Sequence, residues 1–187
     1  MLERHAIFDS QRFYRYSLSR TWDSTKDKVV FVMLNPSTAD EHTEDSTLRK
    51  CIQYAQNFGY GSLEVVNLFA MIATKPKDLL TVSKEVAIGP HNSTYLNKAL
   101  RSASLAIAAW GTNGTIHQRH LDVPDIFSNF TLHRLGSATK DGHPPHPLYL
   151  KYDLELLEHL APKSIQTNRL ASIITESEHS LIRKDVL

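Results

Sequence analysis

The chain has 187 residues, 41% of them hydrophobic, and one cysteine, which is core enough for a single ordered domain and excludes a disulfide framework, a four-cysteine zinc site and an all-cysteine iron–sulfur cluster. Its 21 basic and 20 acidic residues leave a formal net charge of +1. That balance excludes a protein that coats nucleic acid through a broad basic face.

The segment Arg12 to Trp22 alternates, with Tyr14, Tyr16, Leu18 and Trp22 on one side and Arg15, Ser17, Ser19 and Thr21 on the other. This pattern predicts a half-buried strand. DSTKD is turn-like, and KVVFVML then reads as a strand buried on both faces. The two strands are expected to pair antiparallel. After the polar stretch NPSTADEHTEDST, Asp45 or Ser46 can cap a helix running to about Phe58, with Leu48, Cys51, Ile52 and Ala55 at helical spacing. Gly59 and Gly61 are expected to stop it. SLEVVNLFA predicts a third strand, Asn92 to Ser102 a helix, SLAIAAWG a strand ending at glycine, and FTLHRLG a short strand. Between the last two lies a weaker helix or loop with Ile116 and Leu121. A helix is expected from about Leu148 to Leu160, and Pro162 closes the domain, so that residues 1–162 form one α/β domain and 163–187 a further helix or tail.

Strands alternating with helices predict a three-layer α/β/α fold with a mainly parallel central sheet and an antiparallel N-terminal strand. Asn35-Pro36-Ser37, Asn67, Trp110-Gly111 and the loop with Lys140, His143 and His146 each follow a strand. In open α/β sheets ligands bind outside the carboxyl ends of the strands, so these segments are expected to converge on one crevice. Asn35 can position water, or it can simply serve a strand-to-loop turn. Asn67 can read the edge of a base, or satisfy buried backbone at a strand end. His146 or His143 can stabilise a developing anion, or sit on a rigid proline turn. Asp40 and Asp45 are secondary candidates for sugar hydroxyls or Mg²⁺, while Glu41 and Glu44 read as a solvated loop. His117 and His120, near Asp122 and Asp125, match no metal motif. Ser37 lacks a nucleophile elbow, and Cys51 lies on an apolar helix stripe.

MLNPSTAD, VVNLFA, AAWG and TKDGHPPHPLYL, in this order across Tyr14 to Leu150, resemble an uncharacterised bacterial and phage family known only as a domain of unknown function. The motif order is also distantly similar to the uracil-DNA glycosylase superfamily. Its G-x-[DN]-P loop resembles Met33-Leu34-Asn35-Pro36, its strand-end LLLN resembles Val65-Val66-Asn67, its LWG resembles Ala109-Trp110-Gly111, and its HPSP resembles His146-Pro147-Leu148 and His143-Pro144-Pro145. The chain departs from that pattern at Met33, which replaces a glycine, and in lacking the serine that grips DNA phosphate. The resemblance implies a uracil-DNA glycosylase-like fold. It also implies an N-glycosidase acting on a nucleobase, nucleoside or nucleic acid, with Asn35 and His146 catalytic and Pro36, Ser37, Asn67, Trp110, Gly111, Lys140 and His143 against the substrate. A non-catalytic nucleotide-binding module on the same fold and a metal-dependent hydrolase are the alternatives. No cofactor and no metal are expected. The expected partner is a nucleobase-containing small molecule or a weakly bound nucleic acid. No apolar run is long enough for a membrane span and MLERHAIFDS has no apolar leader core, so the expected location is cytoplasmic, with no membrane partner.

Overall fold

The computed structural model describes residues 2–162; the helix or tail expected at 163–187 lies outside the described residues. Seven strands, β1 (Glu3–Phe8), β2 (Arg15–Thr21), β3 (Lys28–Met33), β4 (Ser62–Asn67), β5 (Leu105–Ala108), β6 (Leu132–Leu135) and β7 (Leu156–Leu160), form one sheet. Four helices accompany them: α1 (Ser46–Asn57), α2 (Lys84–Ile88), α3 (Asn92–Arg101) and α4 (Arg119–Ile126). The strand order is β1-β2-β4-β3-β5-β6-β7. The four central strands β4, β3, β5 and β6 are parallel, while β1, β2 and β7 join antiparallel. The fold is therefore α/β with a mixed sheet, parallel at its centre and antiparallel on both flanks.

The continuous apolar run of β3 explains its central place. Its side chains alternate between faces. Val29, Phe31 and Met33 pack with Leu63, Val65 and the α1 residues Leu48, Cys51, Tyr54 and Ala55. Val30 and Val32 pack with Val66, with Leu96, Ala99 and Leu100 of α3, and with Val123 of α4. Asp45 caps α1 by accepting the Leu48 amide at 2.7 Å. Gly59, at φ +83°, ends it, and the Tyr60 amide returns to the Ala55 carbonyl at 2.9 Å. Cys51 is wholly enclosed and burial pushes its thiol pKa up, so it is a core residue. No helix among the described residues is long and apolar enough to cross a membrane.

Four expectations are corrected. β2 does not pair with β3: β4 lies between them, antiparallel to β2 and parallel to β3. The Asp23–Asp27 turn instead clasps the start of β4. The Trp22 and Asp23 amides donate to the Gly61 carbonyl and the Gly61 amide donates to Asp27, all at 3.0 Å. Gly61 thus belongs to this clasp rather than to the helix stop. β2 is also not half-buried, because β1 covers its outer edge and Arg15, Ser17 and Arg20 are all buried. β1 itself is mostly exposed and carries a charged, irregular sequence with no strand signature. Finally, Leu148 to Leu160 is not a helix. Lys50 Nζ and the Tyr54 hydroxyl of α1 donate to the Leu150 and Lys151 carbonyls, holding that backbone in an extended path after a 3-10 turn at Pro147–Tyr149. The leucines that follow pair with β6 as β7.

A Cβ added at Gly61 would lie 1.9 Å from the Asp23 carbonyl oxygen. Gly61→Ala is therefore expected to lower stability by about 1–3 kcal/mol, read as a fall in the urea midpoint; an unchanged midpoint would show that the clasp yields freely.

Candidate functional site

The central strands β3, β4 and β5 all run toward one edge of the sheet, and each hands the chain to a polar segment there. The segment after β3 is anchored by backbone bonds: Leu68 N to Met33 O and Phe69 N to Leu34 O at 2.9 Å, and Ala73 N to Pro36 O at 3.0 Å. The segments after β5 and β6 are laced by the Gly111 amide, which donates to the Pro144 carbonyl at 3.0 Å. Gly111 has φ +70°, and a Cβ on it would meet the His146 Cβ at 3.3 Å. β2 runs the other way, so its first residue, Arg15, arrives at the same edge.

A cavity of about 660 Å³ opens at this edge. Asn35, Ser37 and Asp45 line it from the loop after β3, Asn67 from β4, Trp110 and Gly111 from the end of β5, and His146 from the loop after β6. Tyr149, largely exposed, stands at its rim. Pro36 is buried behind the lining, its carbonyl taken by Ala73 and Asn35. Lys140 is exposed and lies outside the lining. His143 borders a separate cavity of about 250 Å³ with His120 and His159.

The amide of Asn67 is the most unusual group in the cavity wall. The residue is 1% exposed, and neither Nδ2 nor Oδ1 has a partner. A buried amide left unpaired costs of order 1–3 kcal/mol, and here both its donor and its acceptor atom lack a partner. Asn35 is different. Its Nδ2 donates to the Pro36 carbonyl at 2.8 Å and to the Ala73 carbonyl at 2.6 Å, which leaves Oδ1, an acceptor, as its uncommitted atom. His146 accepts the Leu148 amide on Nδ1 at 3.3 Å, and burial lowers its pKa. The ring is therefore neutral at pH 7 with its one proton on Nε2, a hydrogen-bond donor.

The acidic loop is largely consumed by structure. Asp40 accepts the His42 and Thr43 amides at 2.8 and 2.7 Å, bonds that lower its pKa, and it does not line the cavity. Asp45 lines it but is the cap of α1. Glu41 pairs with Arg12, and Glu44 with Arg4 and Arg20. His117 bonds to the Leu79 carbonyl at 2.9 Å, whereas His120 sits beside His143. No group of three or more His, Cys, Asp or Glu among the described residues is placed to hold a metal ion.

Arg15 is the cavity residue that sequence reasoning missed. Alternation put it on an exposed strand face, yet it is 4% exposed and lines the cavity. Only the depth of β2 in the sheet, which the sequence does not state, would have revealed it. Burial, only partly offset by Asp45 nearby, pushes its pKa down to about 10.

The model of a family described as a protein of unknown function, DUF1643, matches residues 15–148. No curated protein and no solved structure matches the chain.

An aspartate at position 35 would face two carbonyl oxygens with a carboxylate. Asn35→Asp is expected to cost about 1–3 kcal/mol at pH 7, measured by urea unfolding; equal stability would show that the loop tolerates a charge there. A second outcome concerns pH. Burial lowers His146, and burial with the nearby Arg134 charge pushes His159 down to about 4. As pH falls below about 6.5 these histidines take up protons in the unfolded chain before they do in the folded one. Stability should therefore fall as pH drops from about 6.5 toward 4, and His159→Gln should flatten that fall. Midpoints constant between pH 7.5 and 5 would contradict both depressed values.

Proposed function

The chain belongs to the DUF1643 family of proteins of unknown function, and we propose that the cavity at the carboxyl edge of its sheet recognises a nucleobase, and that the protein is a hydrolytic N-glycosidase acting on a nucleobase-containing substrate. The observation that carries this reading is the unpartnered, buried amide of Asn67. A side-chain amide pairs with the complementary donor and acceptor edge of a base. The cavity volume suits a ligand of nucleoside or nucleotide size. The same reading extends to the fold, as three layers resembling the uracil-DNA glycosylase superfamily. Four parallel central strands ending at the pocket, with α1 against one sheet face and α3 and α4 against the other, support it.

In this mechanism Asn67 holds the base, and Asn35 Oδ1 accepts a hydrogen bond from a water directed at the anomeric carbon. The C–N bond breaks as the water oxygen bonds to that carbon, and the base leaves with the bonding electron pair. The Nε2–H of neutral His146 donates to the departing anion, stabilising charge that develops in the transition state. The proton lost by the water passes to solvent, since an amide is no general base near pH 7.

One observation favours a non-catalytic binding module on the same pocket: both Asn35 donors brace the loop, which gives that residue a purely structural use. A metal-dependent hydrolase built on Asp40, Asp45 and the histidines lacks a ligand cluster among the described residues.

The deciding experiment measures release of free base by chromatography across a panel of nucleosides, nucleotides and modified oligonucleotides, alongside binding of the same panel by calorimetry. Asn67→Ala should weaken binding at least about tenfold. His146→Ala should lower turnover about 10²–10³-fold with little change in unfolding midpoint, while His143→Ala should do much less. Binding lost in Asn67→Ala, with no base released by the unaltered protein from any substrate, would establish the binding module instead.

A further inference from the structure

Arg15 is a buried cation that makes no ion pair among the described residues, and it borders the cavity that holds Asn67. The other arginines of this region are compensated. Arg12 meets Glu41 at 3.2 Å, and Arg20, fully enclosed, meets Glu44 at 3.2 Å and the Asp40 and Ser19 carbonyls at 2.6 and 2.8 Å. Arg15 has only the Ala39 carbonyl, bonded by Nη1, and its Nε is enclosed with no partner. A buried charge without a counter-charge is strongly destabilising unless something answers it. The two acids nearest in charge are otherwise engaged, Asp40 with the turn amides and Asp45 with the α1 cap. Asp45 and Asp40 favour the charged form of Arg15 through space, but neither forms an ion pair with it among the described residues.

Resting on the nucleobase reading, we propose that the ligand is a free nucleoside monophosphate, its base read by Asn67 and its phosphate gripped by Arg15. A guanidinium offers a planar fork of N–H groups that matches phosphate oxygens two at a time. The grip thus comes from the first residue of β2, on the opposite side of Asn67's strand from β3 and its loop. A free nucleotide is favoured over a strand because one enclosed cation serves one phosphate. A polymer would need a basic track, and the arginines Arg4, Arg12 and Arg20 of this region are already paired with Glu41 and Glu44.

The test is calorimetric titration of the full chain with matched nucleosides, their 5′-monophosphates, inorganic phosphate, and a single-stranded oligonucleotide of the same base. It is repeated for Arg15→Lys and Arg15→Gln, with melting curves for each variant. The expected result is a monophosphate bound at least about tenfold more tightly than its nucleoside. Arg15→Gln should erase that preference while leaving nucleoside affinity unchanged, and Arg15→Lys should retain part of it. A purely structural Arg15 would weaken nucleoside and nucleotide alike. Should Arg15→Gln fail to fold, the unaltered protein still decides: equal affinity for nucleoside and monophosphate overturns the phosphate grip while leaving the base reading intact. Binding of inorganic phosphate as tight as that of every nucleotide overturns the base reading and leaves an anion site. An oligonucleotide bound more tightly than the monophosphate overturns the choice of a free nucleotide.

Discussion

The geometry of the pocket depends on how the backbone is held where β4 leaves the sheet. Past Asn67 the carbonyls lose their ladder partners, and in a buried position each must find another donor. Asn92, at the start of α3, supplies both: its Nδ2 donates to the Asn67 and Leu68 carbonyls at 3.0 Å. Arg119 adds a third bond, from Nε to Leu68 at 3.2 Å, and is itself steadied by Asp122, which also holds Lys84. With the main chain fixed from behind, the Asn67 side chain has no backbone group of its own to satisfy. That amide is left without a partner of its own.

The electrostatics of the same edge are a matter of local pairing rather than of total charge. A net charge of +1 conceals a cluster in which Arg4, Arg12 and Arg20 pair with Glu41 and Glu44, while Arg15 forms no ion pair among the described residues and feels Asp45 and Asp40 only through space. The carboxylates of the loop after β3 are spent on these pairs, on turn amides and on the α1 cap, while Arg15 and Asp45 both lie in the cavity wall.

The parallel centre of the sheet was legible because its strands are apolar without interruption, as in KVVFVM, and because polar residues follow them directly. Asn35, Asn67, Trp110-Gly111 and His146 could be placed at one edge on that ground alone. What was not legible depends on neighbours distant in sequence. The leucines of β7 sit at spacings that suit a helix, and contacts distant in sequence decide for an extended path: bonds from Lys50 and Tyr54 to the Leu150 and Lys151 carbonyls and the pairing of β7 with β6. β1 has no apolar alternation to announce it. Arg15 looked solvent-facing because strand periodicity says which side a residue takes but not whether that side is covered. The turn at Asp23–Asp27 is short enough for a hairpin, yet it bonds to Gly61 and lets β4 lie between β2 and β3, a choice that no local propensity encodes.

The long reach of these contacts also sets the order in which the molecule can be made. The pocket is closed by residues at both ends of the described span: β2 gives Arg15, while Leu148, Tyr149 and Leu150 complete the far wall and are tied to α1. A nascent chain emerging from the ribosome therefore has no pocket until its final third has been synthesised and has returned to α1. A ligand of this cavity would bind only the finished fold, and by mass action it would stabilise that fold as a whole. In the cell, ligand supply would then govern not only how much of the protein is occupied but how much of it escapes degradation.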